Sequence, residues 1–318
     1  TMRISFAFRS AMEPLLRFLS QRGRGSIAER NAKLILMVGV LGVSASAILV
    51  RFSQAPSGVT AAYRLGWTVL LLLPVVLLRC RAELRRVTAR DLVLCGASGV
   101  LLALHFLTWF ESLKRTSVAS STVLVSTEVI FTAMGFALFL HGKIPRLGVW
   151  AILLAFGGSA LLALSGGGGA GELSGNLLAL ATASAAAVYT LIGRVQRGHL
   201  STTVYTFLTY LACFLTLLLG TAAAGTPLTG YGGRECLIGL ALAVLCTLLG
   251  HSLFSWCLKY LSPSYVSAAK LCEPVFSSLA AIPLFGEVPG PLQLAGGAAV
   301  LGAVLLYTWA EREKTPAG

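Results

Sequence analysis

Ten runs of mostly apolar residues, each close to the length needed to cross a bilayer, constrain this chain more than any other feature. A hydrocarbon core about 30 Å thick takes about 20 residues of α-helix. Runs of that length occur at roughly 34–52, 58–78, 91–113, 117–140, 147–165, 174–193, 202–222, 236–258, 264–284 and 291–310. Helix-stopping or charged segments separate them, among them Gln54-Ala55-Pro56, residues 79–90, Lys114-Arg115, Gly142-Lys143 and Gly166–Gly169. Connections this short force neighbouring helices to run antiparallel. A closed barrel is the only other spanning solution, and these runs are too long and lack two-residue alternation. Composition agrees: only 12% of residues are charged, half the roughly 25% of a soluble chain, and the mean hydropathy is +0.82. The expectation is an all-α integral membrane protein of ten transmembrane helices, with the lipid bilayer as its first partner.

The net charge of +13 would suit nucleic acid if it formed one face, but the bases lie in short runs between apolar segments. Of the 25 Lys and Arg residues, 19 fall in the odd-numbered non-membrane segments and four in the even ones; Arg64 and Lys270 lie inside spans. Positive charge stays on the cytoplasmic side, so both termini are expected in the cytoplasm, with the protein in the cytoplasmic membrane. Residues 1–33 read as a basic cytoplasmic segment with an interfacial helix, and 311–318 as a cytoplasmic tail. A cleaved signal peptide is not expected, because no unbroken apolar core precedes a small-residue site. The seven cysteines are scattered without CxxC spacing, so neither a metal site nor a disulfide framework is expected. Gly166–Gly169 follows no strand and precedes no Gly-Lys-Ser/Thr, so it is not a phosphate cradle, and no cofactor is expected.

Shifting the sequence by 145 positions lays spans three and four over spans eight and nine. Leu113-Lys114 meets Leu258-Lys259, Thr122 meets Ser267, Glu128 meets Glu273, Phe131 meets Phe276 and Thr132 meets Ser277. The two acidic residues deep inside spans thus become equivalent. Five spans per half is odd, so the second half enters the membrane upside down, giving two inverted five-helix repeats at 34–165 and 174–310. Inverted repeats are typical of alternating-access transporters, which bind substrate near the midplane between halves.

The stretch Leu271-Cys272-Glu273-Pro274-Val275-Phe276, then Leu284-Phe285-Gly286-Glu287 and a glycine-rich last helix, resembles the second EamA domain of the drug/metabolite transporter superfamily. Tyr63-Arg64 resembles part of the first. The resemblance spans about residues 34–310 and implies a ten-helix transporter without ATP chemistry, favouring export of amino-acid-like or drug-like solutes. Two positions depart from the family pattern: Lys270 stands where the family is usually apolar, and Gly142-Lys143 replaces Gly-Glu.

Candidate binding residues follow from burial costs. A lone carboxylate in lipid costs a few kcal/mol on insertion scales (about 2.5–3.5), so Glu128 and Glu273 should face protein or a wet cavity. Helical spacing puts Ser121, Glu128, Thr132 and Gly135 on one stripe, and Lys270, Glu273 and Ser277 on another. Lys270 and Glu273 can pair, and Pro274 deprives the Lys270 carbonyl of its helical partner. Arg64, beside Tyr63 and one turn from Trp67, either snorkels to the headgroups or clamps a carboxylate. His105 with Trp109, and His251 with Ser255, share helix faces as satisfied core histidines or as a proton relay. Each carboxylate also has a purely structural reading, Glu128 tied to backbone or Arg64 and Glu273 to Lys270. The small-residue ladders Ala151, Ala155, Ser159, Ala163 and Ala295, Ala299, Ala303 read as helix packing.

These features point to a secondary transporter of small polar or amphipathic metabolites, most simply an exporter, with a proton as coupling ion. A runner-up is uptake of a small organic cation such as a quaternary amine, held by two glutamates and tryptophan. An intramembrane enzyme is disfavoured because no HExxH, GxSxG or paired His/Asp motif occurs. A homodimer is compatible with the sequence.

Overall fold

The computed structural model describes residues 25–139, 144–165, 170–196, 200–257, 270 and 272–312. Among them every regular element is helical. Span one is the end of α1 (Gly25–Phe52), span two is α2 (Ser57–Arg79), and a short α3 (Arg81–Leu84) leads to span three, α4 (Ala89–Arg115). Span four is built from α5 (Val118–Val125) and α6 (Glu128–Phe139), followed by α7 (Arg146–Ser165), α8 (Ala170–Gln196) and α9 (Thr202–Ala223) as spans five to seven. Span eight joins α10 (Gly232–Ala241), a π-helical stretch (Leu242–His251) and α11 (Ser252–Cys257); α12 (Cys272–Phe285) and α13 (Pro291–Arg312) close the series. Seven spans are long and apolar enough to cross a bilayer by themselves, and three shorter apolar helices at Arg146–Leu162, Cys272–Phe285 and Pro291–Tyr307 complete the ten.

Local sequence sets the helix starts. Thr88 caps α4 through a capping box with Asp91, Ser117 caps α5 and Ser201 caps α9, satisfying amides that lipid could not. Gly286 adopts φ 68° just after α12, a C-terminal stop that a residue with a Cβ would strain.

The most extensive helix contacts run between the two sequence halves: α7 against α13, α4 against α8 and α9, α9 against α2, and α1 against the π stretch. Glycines let these helices approach. A Cβ on Gly99 would stand 2.5 Å from the Ala212 Cβ, and one on Gly158 would stand 2.9 Å from the Gly296 carbonyl oxygen. The expected alanine ladders lie here, with Ala151, Ala155 and Ala303 buried in one cluster between α7 and α13. Dispersion and close backbone approach hold such interfaces, since lipid removes the hydrophobic drive for helices to associate.

Two expectations are corrected. Span four is not one helix, because a turn at Ser126-Thr127 interrupts it, so the stripe from Ser121 through Glu128 is broken. Span eight is not uniformly α-helical: ten residues, Leu242–His251, are π-helical. The expected interfacial helix in 1–24, the repeat partners Leu258, Lys259 and Ser267, and the Gly142-Lys143 and Gly166–Gly169 segments lie outside the described residues.

Candidate functional site

The turn before Glu128 puts its carboxylate in the first turn of α6, and Glu273 lies in the first turn of α12. At the start of α6, free amide groups beside Glu128 favour negative charge. Both acids line one cavity together with Trp109, Thr122, Ser126, Lys270 and the valines 125 and 129. Its volume is about 60 Å³, room for a few waters at ~15 Å³ of water-occupied space each, against the roughly 300–1,000 Å³ of small-molecule pockets. The groups are gathered but the space for an organic solute is closed.

Within this cluster Glu128 accepts a hydrogen bond from the Thr190 hydroxyl at 2.9 Å. Lys270 places its ammonium 5.6 Å from the centre of the Phe254 ring. No ion pair joins it to Glu273 among the described residues, so the expected Lys270–Glu273 pair is not formed in this conformation, although the two charges share one wall. Trp109 is buried and its indole Nε1 has no hydrogen-bond partner. An unpaired buried donor costs about 1–3 kcal/mol and is rare enough to call for an explanation. The Thr132 hydroxyl oxygen is likewise unpartnered but does not line this cavity.

Other expected site residues fall elsewhere. Arg64 neither snorkels nor reaches Glu128. It is fully buried, donates to Thr247 Oγ1 at 2.9 Å and Ser46 Oγ at 3.1 Å, and lies 4.4 Å over the Phe106 ring. Two hydroxyls and a ring face thus replace its hydration. Tyr63 turns away and donates to the Leu228 carbonyl at 2.6 Å, and half-buried Trp67 does not line the cavity. Ser121 bonds Ser112 at 2.8 Å, while the Ser277 hydroxyl donates to the Glu273 backbone carbonyl. His105 is within 3.3 Å of the Thr182 carbonyl and 6.1 Å, ring to ring, from Trp109. His251 packs edge-on against Phe254 at 6.4 Å. The core-histidine reading fits His105, whereas the side chain of Ser255, expected beside His251, lies outside the described ones. Sequence reasoning missed Thr190, Ser126 and Phe106, which have no charge and no motif to mark them.

A second cluster closes one end of the bundle. Arg51, at the end of α1, donates to the carbonyls of Leu113 and Thr116 and pairs with Glu287 from the loop between α12 and α13. The other Glu287 oxygen accepts from the Val118 amide at 2.8 Å. Phe285 stacks beneath, 5.4 Å from the Arg51 guanidinium and 5.2 Å from Phe52. Alongside, Lys114 donates to the Ala55 carbonyl, Ser57 to Glu111, and Ser53 and the Gln54 amide to Glu235. This network ties residues of both halves across the end.

The sequence also matches known proteins. A model of the EamA-like transporter family matches residues 31–164 and again 173–309. Over 183 residues the chain is 34% identical to an uncharacterised protein of Pseudomonas aeruginosa, a match taking in 56% of this chain and 62% of that relative. The chain thus aligns with less than two thirds of that relative's length. It is 27% identical over 233 residues, 70% of this chain and 75% of the relative, to a probable terminal-alkyne amino-acid exporter of Streptantibioticus cattleyicolor. One solved crystal structure of a protein superposes with a TM-score of 0.62 at 19% identity, covering 90% of this chain and 99% of that one. At that identity the likeness shows the fold alone.

Proposed function

From the premise that the chain belongs to the EamA-like transporter family and is a multi-pass membrane transporter, we propose that it exports small zwitterionic, amino-acid-like solutes by alternating access across the cytoplasmic membrane. Both termini face the cytoplasm in this reading, and the Arg51–Glu287 end faces outward. The observation that carries it is the charge set of the central cavity: Lys270 together with Glu128 and Glu273, beside the unpaired Trp109 N–H. The solute's ammonium meets the carboxylates, and its carboxylate takes Lys270 and the indole donor. The small volume then belongs to a closed state that must widen to load. The name of the Streptantibioticus relative supports the same solute class. A quaternary amine uses the carboxylates and the Trp109 face but leaves both Lys270 and the indole N–H without an acceptor.

The test is counterflow in proteoliposomes with amino acids, carboxylate-free amines and quaternary amines. Lys270→Met should cut amino-acid flux about 10–100-fold, the worth of a hydrogen bond to a charged group, while sparing any flux of the amines. Glu128→Gln and Glu273→Gln should fold normally and change the rate or its pH profile, which also tests proton coupling. Quaternary-amine flux without amino-acid flux would overturn the reading.

A further inference from the structure

We propose that the end of the bundle opposite Arg51 carries a binding site for the phosphate-bearing headgroup of an anionic phospholipid. A recess of about 860 Å³ opens there between the C-terminal end of α2, α3, the start of α4 and the end of α8. Arg79, Arg86 and Arg90 line it, and so do the carboxylates of Glu83 and Asp91.

The two carboxylates are already engaged. Glu83 accepts from the Ser201 amide. Asp91 accepts from the Thr88 amide and hydroxyl and from the Gln196 side-chain amide at 3.1 Å. The three arginines, in contrast, have no hydrogen-bond or ion-pair partner among the described residues. The recess therefore presents three guanidinium groups whose natural complement is a multi-oxygen anion, which planar guanidinium forks bind bidentately.

Its surroundings point to lipid over a soluble anion. Leu77 and Leu78 precede the lining Arg79 on α2, Leu92 and Val93 follow the lining Asp91 on α4, and all four are exposed, Leu78 by 83% and Val93 by 70%. An acyl chain lying on these side chains would place its headgroup in the recess. Basic pockets between transmembrane helices on the cytoplasmic side are where anionic headgroups dock, each base near the surface contributing about 1 kcal/mol.

The test is done on the purified full chain in neutral detergent, so it is independent of orientation and transport. Binding of dioleoylphosphatidylglycerol, dioleoylphosphatidylcholine and inorganic phosphate is measured by native mass spectrometry and thermal shift. The wild type should retain phosphatidylglycerol and be stabilised by it, with little response to phosphatidylcholine or phosphate. Arg79→Gln, Arg86→Gln and Arg90→Gln together should weaken that binding about a hundredfold. The same charge removed outside the recess, by Arg81→Gln, Arg85→Gln and Arg146→Gln, should leave it within about threefold. Arg90→Gln alone, expected to cost about fivefold, serves if the triple variant fails to fold. Equal loss in the control variant, equal binding of phosphatidylcholine, or binding of phosphate as strong as that of the lipid would each overturn the proposal.

Discussion

The two ends of the bundle use charged side chains in opposite ways. At the Arg51 end bases are few, and Arg51, Lys114 and Arg234 each donate to backbone carbonyls of other segments, while Glu111, Glu235 and Glu287 each accept from elsewhere in the fold. At the opposite end the bases are many, and Arg79, Arg81, Arg85, Arg86 and Arg90 have no side-chain partner among the described residues. A charge held by protein groups fixes a conformation, because losing one partner leaves the other desolvated. A charge turned outward leaves the conformation free and answers to the membrane. Scarcity of charge at one end therefore goes with structural fastening, and abundance at the other leaves guanidinium groups free for the lipid contact proposed above.

The largest effect should come from making the fastened end permanent. With native cysteines replaced, Arg51→Cys and Glu287→Cys bridged by a cleavable bis-methanethiosulfonate should reduce transport to background, and reduction should restore it. Undiminished flux would mean that this end does not open. Next, Arg51→Gln removes charge-assisted bonds to two carbonyls and to Glu287, worth together about 3 kcal/mol. A Val129→Cys reporter on the cavity wall should then react about a hundredfold faster with an impermeant thiol reagent. An unchanged rate would demote the cluster to a rim contact. Gly99→Ala tests the middle, away from both ends. The added methyl meets Ala212 and the Thr209 carbonyl at 2.5 and 2.7 Å, so a loss of about 1–3 kcal/mol in unfolding free energy is expected. A silent Gly99→Ala would show that this crossing gives way. The smallest effect belongs to the basic end: Arg86→Gln in neutral detergent should change stability by under ~0.5 kcal/mol. A larger loss would erase the contrast between the ends.

The ten spans were legible because the bilayer imposes a length that hydropathy reports directly. The meeting of Glu128 and Glu273 at one cavity was legible because both are rare residues deep in apolar runs at matching offsets. The break at Ser126-Thr127 was not, since neither residue is a strong helix stopper and the turn depends on surrounding contacts. The burial of Arg64 was also hidden. Snorkelling and burial differ only in whether Thr247 and Ser46, far away in sequence, arrive to replace water. The expected Lys270–Glu273 pair illustrates the same limit: helical spacing brings two residues to one face, but the cavity decides where the ammonium goes. Arg51 and Glu287 were visible as a lone base at the end of span one and as part of a Gly-Glu motif, with nothing local to join them.

The close glycine crossings have a consequence for how such a chain can move. Gly99 fits α4 of the first half against α9 of the second, Gly158 fits α7 against α13, and Gly42 fits α1 against the π stretch. Every one of these tight seams joins the two copies to each other. The duplication seen in the sequence thus does not divide the fold into two separately packed bodies. Any group of helices that keeps these seams is drawn from both copies, and neither copy by itself keeps the neighbours against which its helices are packed.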